Sequence, residues 1–207
     1  RSRQGQRCKP CRRGCRSLLM TDTRQAKADL RTAIANRLAE FPQAKKEAES
    51  RSLTRRILEL LPKPPHNVCG FVPLKDEVLI QPLLNELLGR GYRLFLPRFE
   101  NGALAFREAP SLSQLKPGHL QIPEPTADAN PLPSDEPTTV LVPGRAFDAQ
   151  GGRLGRGNGG YDVWIRTQRS QNRERTFWGV CYELQQVLQV PVEEHDERVD
   201  RVLTASG

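Results

Sequence analysis

Val140-Leu141-Val142-Pro143-Gly144-Arg145-Ala146-Phe147-Asp148 and, two residues later, Gly151-Gly152-Arg153-Leu154-Gly155-Arg156-Gly157-Asn158-Gly159-Gly160-Tyr161-Asp162 spell a strand, a glycine-rich loop and a helix start. The apolar run 140–142 reads as a buried strand that ends at Pro143-Gly144. Glycines at 151, 152, 155, 157, 159 and 160 leave little side chain in the way of the backbone. A helix opening at Tyr161 would then turn its free N–H groups and positive dipole end toward one anion. Arg153 and Arg156 add charge-assisted donors suited to phosphate oxygens. Asp162 supplies a carboxylate where a magnesium ion bridging such phosphates needs a ligand. Glycine-rich loops also serve simply as turns, and this reading stands beside the first. Gly155-x-Gly157-x-x-Gly160 formally fits the dinucleotide fingerprint. That fingerprint wants its first glycine directly after the strand, whereas roughly a dozen residues intervene here.

Outward from this stretch the chain alternates. Residues 21–40 and 43–61 read as helices, the first with Asp22 and Gln25 as a capping pair, the second stopped by Pro62-Lys63-Pro64-Pro65. A strand at 67–72, a helix at 77–90 closed by Gly91, and strands at 92–96 and 102–107 follow. Residues 123–137 hold five prolines and read as a surface loop. Strands at 177–182 and 201–204 complete the pattern. It predicts an α/β fold: one domain with an open, mostly parallel sheet covered by helices on both faces. Ligands in such sheets sit at strand carboxyl ends, where Phe71-Val72-Pro73, Pro97-Arg98 and Pro143-Gly144 fall.

The N-terminal 19 residues differ from the rest. Seven Arg and Lys and no acids put nearly all of the formal +8 there, leaving residues 20–207 close to neutral. Such a tail can bind nucleic acid non-specifically through phosphates. The only methionine, Met20, just before the first helix, also fits a tail that is disordered or not part of the native protein. Cys8 and Cys11 have zinc-like spacing, but no second pair completes a site. Cys69 and Cys181 fall in strand-like runs and read as buried free thiols, consistent with a reducing cytoplasm. No apolar run approaches a membrane span or a secretory signal. The expected protein is cytoplasmic, monomeric and without a membrane partner.

Leu-Val-Pro-Gly-x-Ala-Phe-Asp followed by Gly-x-Arg-Leu-Gly-Arg-Gly-x-Gly-x-Tyr-Asp closely resembles the signature of the 5-formyltetrahydrofolate cyclo-ligase family. The resemblance runs from about Lys27 to Thr204. It implies an open α/β fold and an ATP- and magnesium-dependent ligase that converts 5-formyltetrahydrofolate to 5,10-methenyltetrahydrofolate. ATP would be held by Lys27 and Arg31, from a Lys-x-x-x-Arg pair, and by the loop Arg153, Leu154, Gly155, Arg156, Gly157, Asn158, Gly159, Gly160 and Tyr161. The folate would meet Val72, Glu77, Arg156 and Gly160, with Arg156 catalytic. Asp162 and Asp196 would hold magnesium. On residue chemistry alone, Lys27 and Arg31 could be a solvated helix face, Glu77 a helix cap, and 191–196 a polar loop. Two departures from the family pattern stand out. Gly160 replaces an aromatic residue, and Asn158 replaces Lys or Gly.

Two other classes compete. A Rossmann-type oxidoreductase, with Glu183 as the ribose acid, fails on loop placement. A nucleic-acid-binding protein would rest on the tail alone, without a recognised module. His66, His119 and His195 are assigned no catalytic role.

Overall fold

The computed structural model describes residues 15–171 and 173–207, with side chains from residue 22 onward. Most of the expected basic tail, residues 1–14, lies outside the described residues. From Cys15 the chain is already helical: α1 spans Cys15–Glu40 rather than starting at residue 21. Ser17-Leu18-Leu19-Met20 contains no helix breaker, so nothing stops the helix short of Thr21. Asp22 is therefore mid-helix and caps nothing, while Gln25 Nε2 donates to Asp29 Oδ1 at 2.8 Å. A tight Phe41-Pro42 corner leads to α2, Gln43–Leu60, and the short α3 is Gln81–Gly89. Pro82 sits in the first turn of α3, where its missing N–H costs nothing, so this helix starts later than residue 77. The fourth helix, α4, is Gly160–Ser170.

Six strands form the main sheet: β1 Asn67–Cys69, β2 Arg93–Glu100, β3 Ala103–Glu108, β4 Thr138–Val142, β5 Arg175–Val180 and β6 Arg201–Leu203. Their order is β6-β5-β4-β1-β2-β3. Every neighbouring pair is parallel except the β2–β3 hairpin. The chain leaves β1 toward β2 on one side and returns to β4 on the other, so the order reverses between β1 and β4. Such a reversal opens a crevice at the carboxyl ends of the two strands.

Alternation along the strands splits the core into two layers. Val68, Leu94, Leu96, Leu141, Trp178 and Val180 face α1, α2 and α3, where they meet Ile34, Leu38, Leu53, Ile57, Leu83 and Leu87. Cys69, Phe95, Val140, Val142 and Phe177 face the other way, onto Trp164 and Ile165 of α4. The period of two in the strands thus requires helices on both faces, as the sequence predicts. Phe147 packs on the second face against Gly179, where a Cβ would lie 2.4 Å from its ring. That glycine makes room for the loop carrying the 151–160 segment.

Candidate functional site

Every one of the expected strand-end segments reaches a single cleft. It is lined by Phe71 and Val72 after β1, Pro97 and Arg98 in β2, and Pro143 and Gly144 after β4. The glycine loop supplies Arg153, Gly155, Arg156, Asn158, Gly160 and Tyr161, and Glu77 closes the same wall. That mixture of apolar wall with a few convergent polar groups suits a small organic ligand.

The loop is shaped from below. Asp148 accepts the N–H groups of Gln150 and Gly152 at 3.0 and 2.8 Å, and that of Val190 at 2.9 Å. This folds the chain back so that Ala146–Phe147 pairs with Arg153–Leu154. Leu154 is therefore buried structure, its carbonyl accepting the Arg145 N–H at 2.7 Å. Gly159 is the N-cap of α4 at φ 67, a left-handed position that glycine takes without steric cost, and no side chain caps the helix there. The first amide of α4, that of Gly160, donates to Asn158 Oδ1 at 3.4 Å, and this first turn lies beside the cleft.

Lys27 and Arg31 reach this loop from α1. Arg31 Nε donates to Gly155 O at 2.9 Å, and its guanidinium lies beside Gly157. Lys27 is only 7% exposed, so it is no solvated face. Its ammonium is clasped by Glu193 Oε2 at 2.5 Å and Asp196 Oδ2 at 2.6 Å. His195 lies next to the same acids, its Nε2 3.7 Å from Glu193 Oε2, and the three residues could share one cation. Asp162 does not join them: its carboxylate is engaged by Arg153 Nη2 at 2.8 Å and by the Glu197 N–H at 3.2 Å. Asp162 and Asp196, the two expected metal ligands, are thus on adjoining segments but not within one ligand set. Arg153 is 5% exposed and leans over the Tyr161 ring, with its Nε and the Tyr161 hydroxyl buried and unpaired. Burial and the nearby Glu77 charge push the Tyr161 phenol up, so it stays protonated.

Glu77 does not cap α3. It ends a turn, its Oε2 accepting the Leu74 N–H at 3.0 Å, and its Oε1 takes Arg156 Nε at 3.0 Å. Arg156 also pairs with Asp76, whose other oxygen pairs with Arg145. So Arg156 connects the loop to the wall of the cleft, and Val72 and Gly160 flank it along the lining.

Sequence reasoning missed three contributions. Asp76 and Arg145 were passed over although each adjoins a motif residue. Glu193 belongs to a stretch that reads as a polar loop, and its signal is a second acid three residues before Asp196. The third is the rim. The proline-rich region is not all surface loop, because Pro123–Glu124 pairs with Lys116–Pro117. Glu124 is 6% exposed, accepts the His119 N–H at 3.0 Å and faces Arg98 at 3.6 Å. His119 then stacks on Phe99 with centroids 4.8 Å apart, and both line the cleft. His66 is unrelated to the site and bonds Thr139 Oγ1 at 3.0 Å.

An open, mostly parallel sheet with a glycine loop and paired cations at its reversal point is the architecture of an α/β enzyme with a small-ligand cleft. The model of the 5-formyltetrahydrofolate cyclo-ligase family matches residues 23–205, and the chain belongs to that family. It is 33% identical over 178 residues to the 5-formyltetrahydrofolate cyclo-ligase of Escherichia coli K12, covering 82% of this chain and 94% of that one. With the Mycolicibacterium smegmatis enzyme of the same name it shares 32% identity over 186 residues, 87% and 94% of the two chains. The fold is similar to the solved 5,10-methenyltetrahydrofolate synthetase of Aquifex aeolicus, with a TM-score of 0.74 at 28% identity over 87% of this chain and 90% of that one. Among the described residues no helix is long and apolar enough to cross a membrane.

Proposed function

We propose that this protein converts 5-formyltetrahydrofolate to 5,10-methenyltetrahydrofolate, consuming ATP and releasing ADP and phosphate. The observation that carries the reading is the junction of Arg156 with Glu77. It joins a candidate phosphate loop to a carboxylate wall within one cleft. The N5-formyl oxygen is a poor leaving group. Transfer of the γ-phosphoryl group to it gives an iminium phosphate, which N10 attacks, and phosphate leaves as the ring closes. Phosphoryl transfer asks the protein mainly for positioning and charge neutralisation. The α4 amides and residues 153–161 would hold the phosphates, with Lys27 and Arg31 opposite the remaining nucleotide charge. Glu77 would accept the N–H donors of the pterin, Val72 and Gly160 would border it, and Arg156 would meet the γ-phosphoryl oxygens.

Magnesium fits the donor set, because Glu193 and Asp196 already close around a cationic ammonium and offer the hard oxygens that ion takes. Asp196 with Glu193 would hold it, and Asp162 is the further carboxylate on the adjoining segment. When bound, the ion would neutralise phosphate charge. The free buried thiols of Cys69 and Cys181 suit a reducing cytoplasm, where the protein would act as a monomer.

The test is direct. Incubation with ATP, magnesium and 5-formyltetrahydrofolate should generate the near-ultraviolet absorbance of the methenyl product, in step with ADP. ADP release without that absorbance, or neither signal from folded protein, would remove this reading.

A further inference from the structure

Arg156 sits between Gly155 and Gly157, the latter at φ 103, so its own backbone does little to fix where the side chain points. Its direction comes from two carboxylates. Nε donates to Glu77 Oε1 at 3.0 Å, and Nη2 pairs with Asp76 Oδ1. Asp76 spends its second oxygen on Arg145. The two arginines differ in freedom. Arg145 is held at both backbone atoms: its N–H donates to Leu154 O at 2.7 Å, and its carbonyl accepts Gln185 Nε2 at 3.1 Å. Its side chain is 17% exposed, against 32% for Arg156. Asp76 is thus anchored on a fixed cation and offers its free oxygen to a movable one.

We propose that Asp76 is a positioning residue for the reaction: braced by Arg145, it holds the Arg156 guanidinium at the edge of the cleft and keeps it from closing fully onto Glu77. This inference rests on the reading that Arg156 meets phosphate and Glu77 meets the folate. Without the Asp76 charge, Glu77 is the one acidic partner left to Arg156 among the described residues. A tighter pair there occupies acceptors that the pterin N–H donors need, and it draws the guanidinium away from the phosphate loop. Both ligands therefore weaken together, which the loss of a simple surface ion pair would not produce. Burial alone would raise the Asp76 carboxyl, but the hydrogen bond and charge of Arg156 and the charge of Arg145 outweigh it and leave it below its ordinary value. The brace is accordingly charged throughout the neutral range.

The experiment is a double-mutant cycle on the full chain. Asp76→Asn is made in the unaltered protein and in Arg156→Gln, with Asp76→Glu as the charge-conserving partner. Calorimetry reads affinity for a non-hydrolysable ATP analogue with magnesium, and separately for 5-formyltetrahydrofolate; kcat/KM is measured wherever turnover persists. Asp76→Asn should weaken both ligands and lower kcat/KM by roughly tenfold, within the span of coupling seen for contacting charged residues. Asp76→Glu should restore part of that, and in the Arg156→Gln background Asp76→Asn should change either affinity less than about twofold. Equal losses in both backgrounds, or none in the unaltered protein, overturn the inference. Thermal melts check folding, and should Asp76→Asn not fold, Asp76→Ser takes its place in the cycle. If the unaltered protein makes no methenyl product, the functional reading fails, and the analogue-binding cycle still decides whether Asp76 acts through Arg156.

Discussion

Gly160 stands where the resembled family carries an aromatic, and the backbone around it has room for one. A Cβ there would meet only Asn158 Oδ1, at 4.0 Å, and the left-handed conformations belong to Gly157 and Gly159 instead. Since Gly160 lines the cleft, Gly160→Tyr should lower the KM for 5-formyltetrahydrofolate while that for ATP stays nearly constant. One aromatic contact limits the gain to roughly 0.5–1.5 kcal/mol, or about tenfold at most. An unchanged folate constant with a raised ATP constant would assign Gly160 to the phosphate cradle. Asp162 is a different case, because its partner Arg153 is almost fully buried. Asp162→Asn leaves that guanidinium without its only ion pair among the described residues, a loss costing about 3 kcal/mol. The melting temperature should fall by several degrees, and added magnesium should not recover it. Normal stability with collapsed, magnesium-rescued turnover would mark the carboxylate as a metal ligand first.

At the scale of elements, α1 is tied to the last loop through the Lys27 ammonium, which sits between Glu193 and Asp196. Lys27→Met leaves two carboxylates facing each other with little solvent, which should lower the melting temperature. A divalent cation replaces the lost charge, so millimolar magnesium should raise the melting temperature of Lys27→Met more than that of the unaltered protein. Equal shifts in the two proteins would exclude this acid pair as a magnesium site. How much of this was readable varies by element. Thr138–Val142 and the glycine loop were legible because apolar continuity and glycine spacing are local signals. The later start of α3 was not, since Pro82 was visible but the 74–77 turn depends on Glu77 reaching a backbone amide. The rim at Lys116–Glu124 was hidden because two-residue strands leave no periodic trace. Lys27 reads as surface by helix spacing, and its partners lie 166 and 169 residues away in the chain.

For the whole molecule, the strand order could not be read from alternation alone, because the reversal between β1 and β4 depends on which edge the chain returns to. The two-sided core was readable, and it has a consequence for alkaline pH. Packing helices on both faces encloses Cys69 and Cys181 as free thiols, and Tyr161 lies with its hydroxyl buried. Burial pushes all three acids up from ordinary values of 9.0 for the thiols and 10.0 for the phenol. A group raised on folding keeps its proton in the native state while the unfolded chain gives it up. Its contribution is therefore intact below the unfolded value and is lost as pH climbs above it. Stability should hold to about pH 8.5, then fall between about pH 9 and 11, by about 1.4 kcal/mol per pH unit for each group fully deprotonated in the unfolded chain. Urea unfolding at half-unit intervals measures the slope. Cys181→Ala should make it shallower even though the variant begins less stable, because one of the three linked protons is gone. A thiol reagent should label Cys69 and Cys181 only as fast as the protein opens, at neutral and alkaline pH alike. Constant stability to pH 10.5, or rapid labelling of the folded protein, would mean that the sheet does not seal these groups from water.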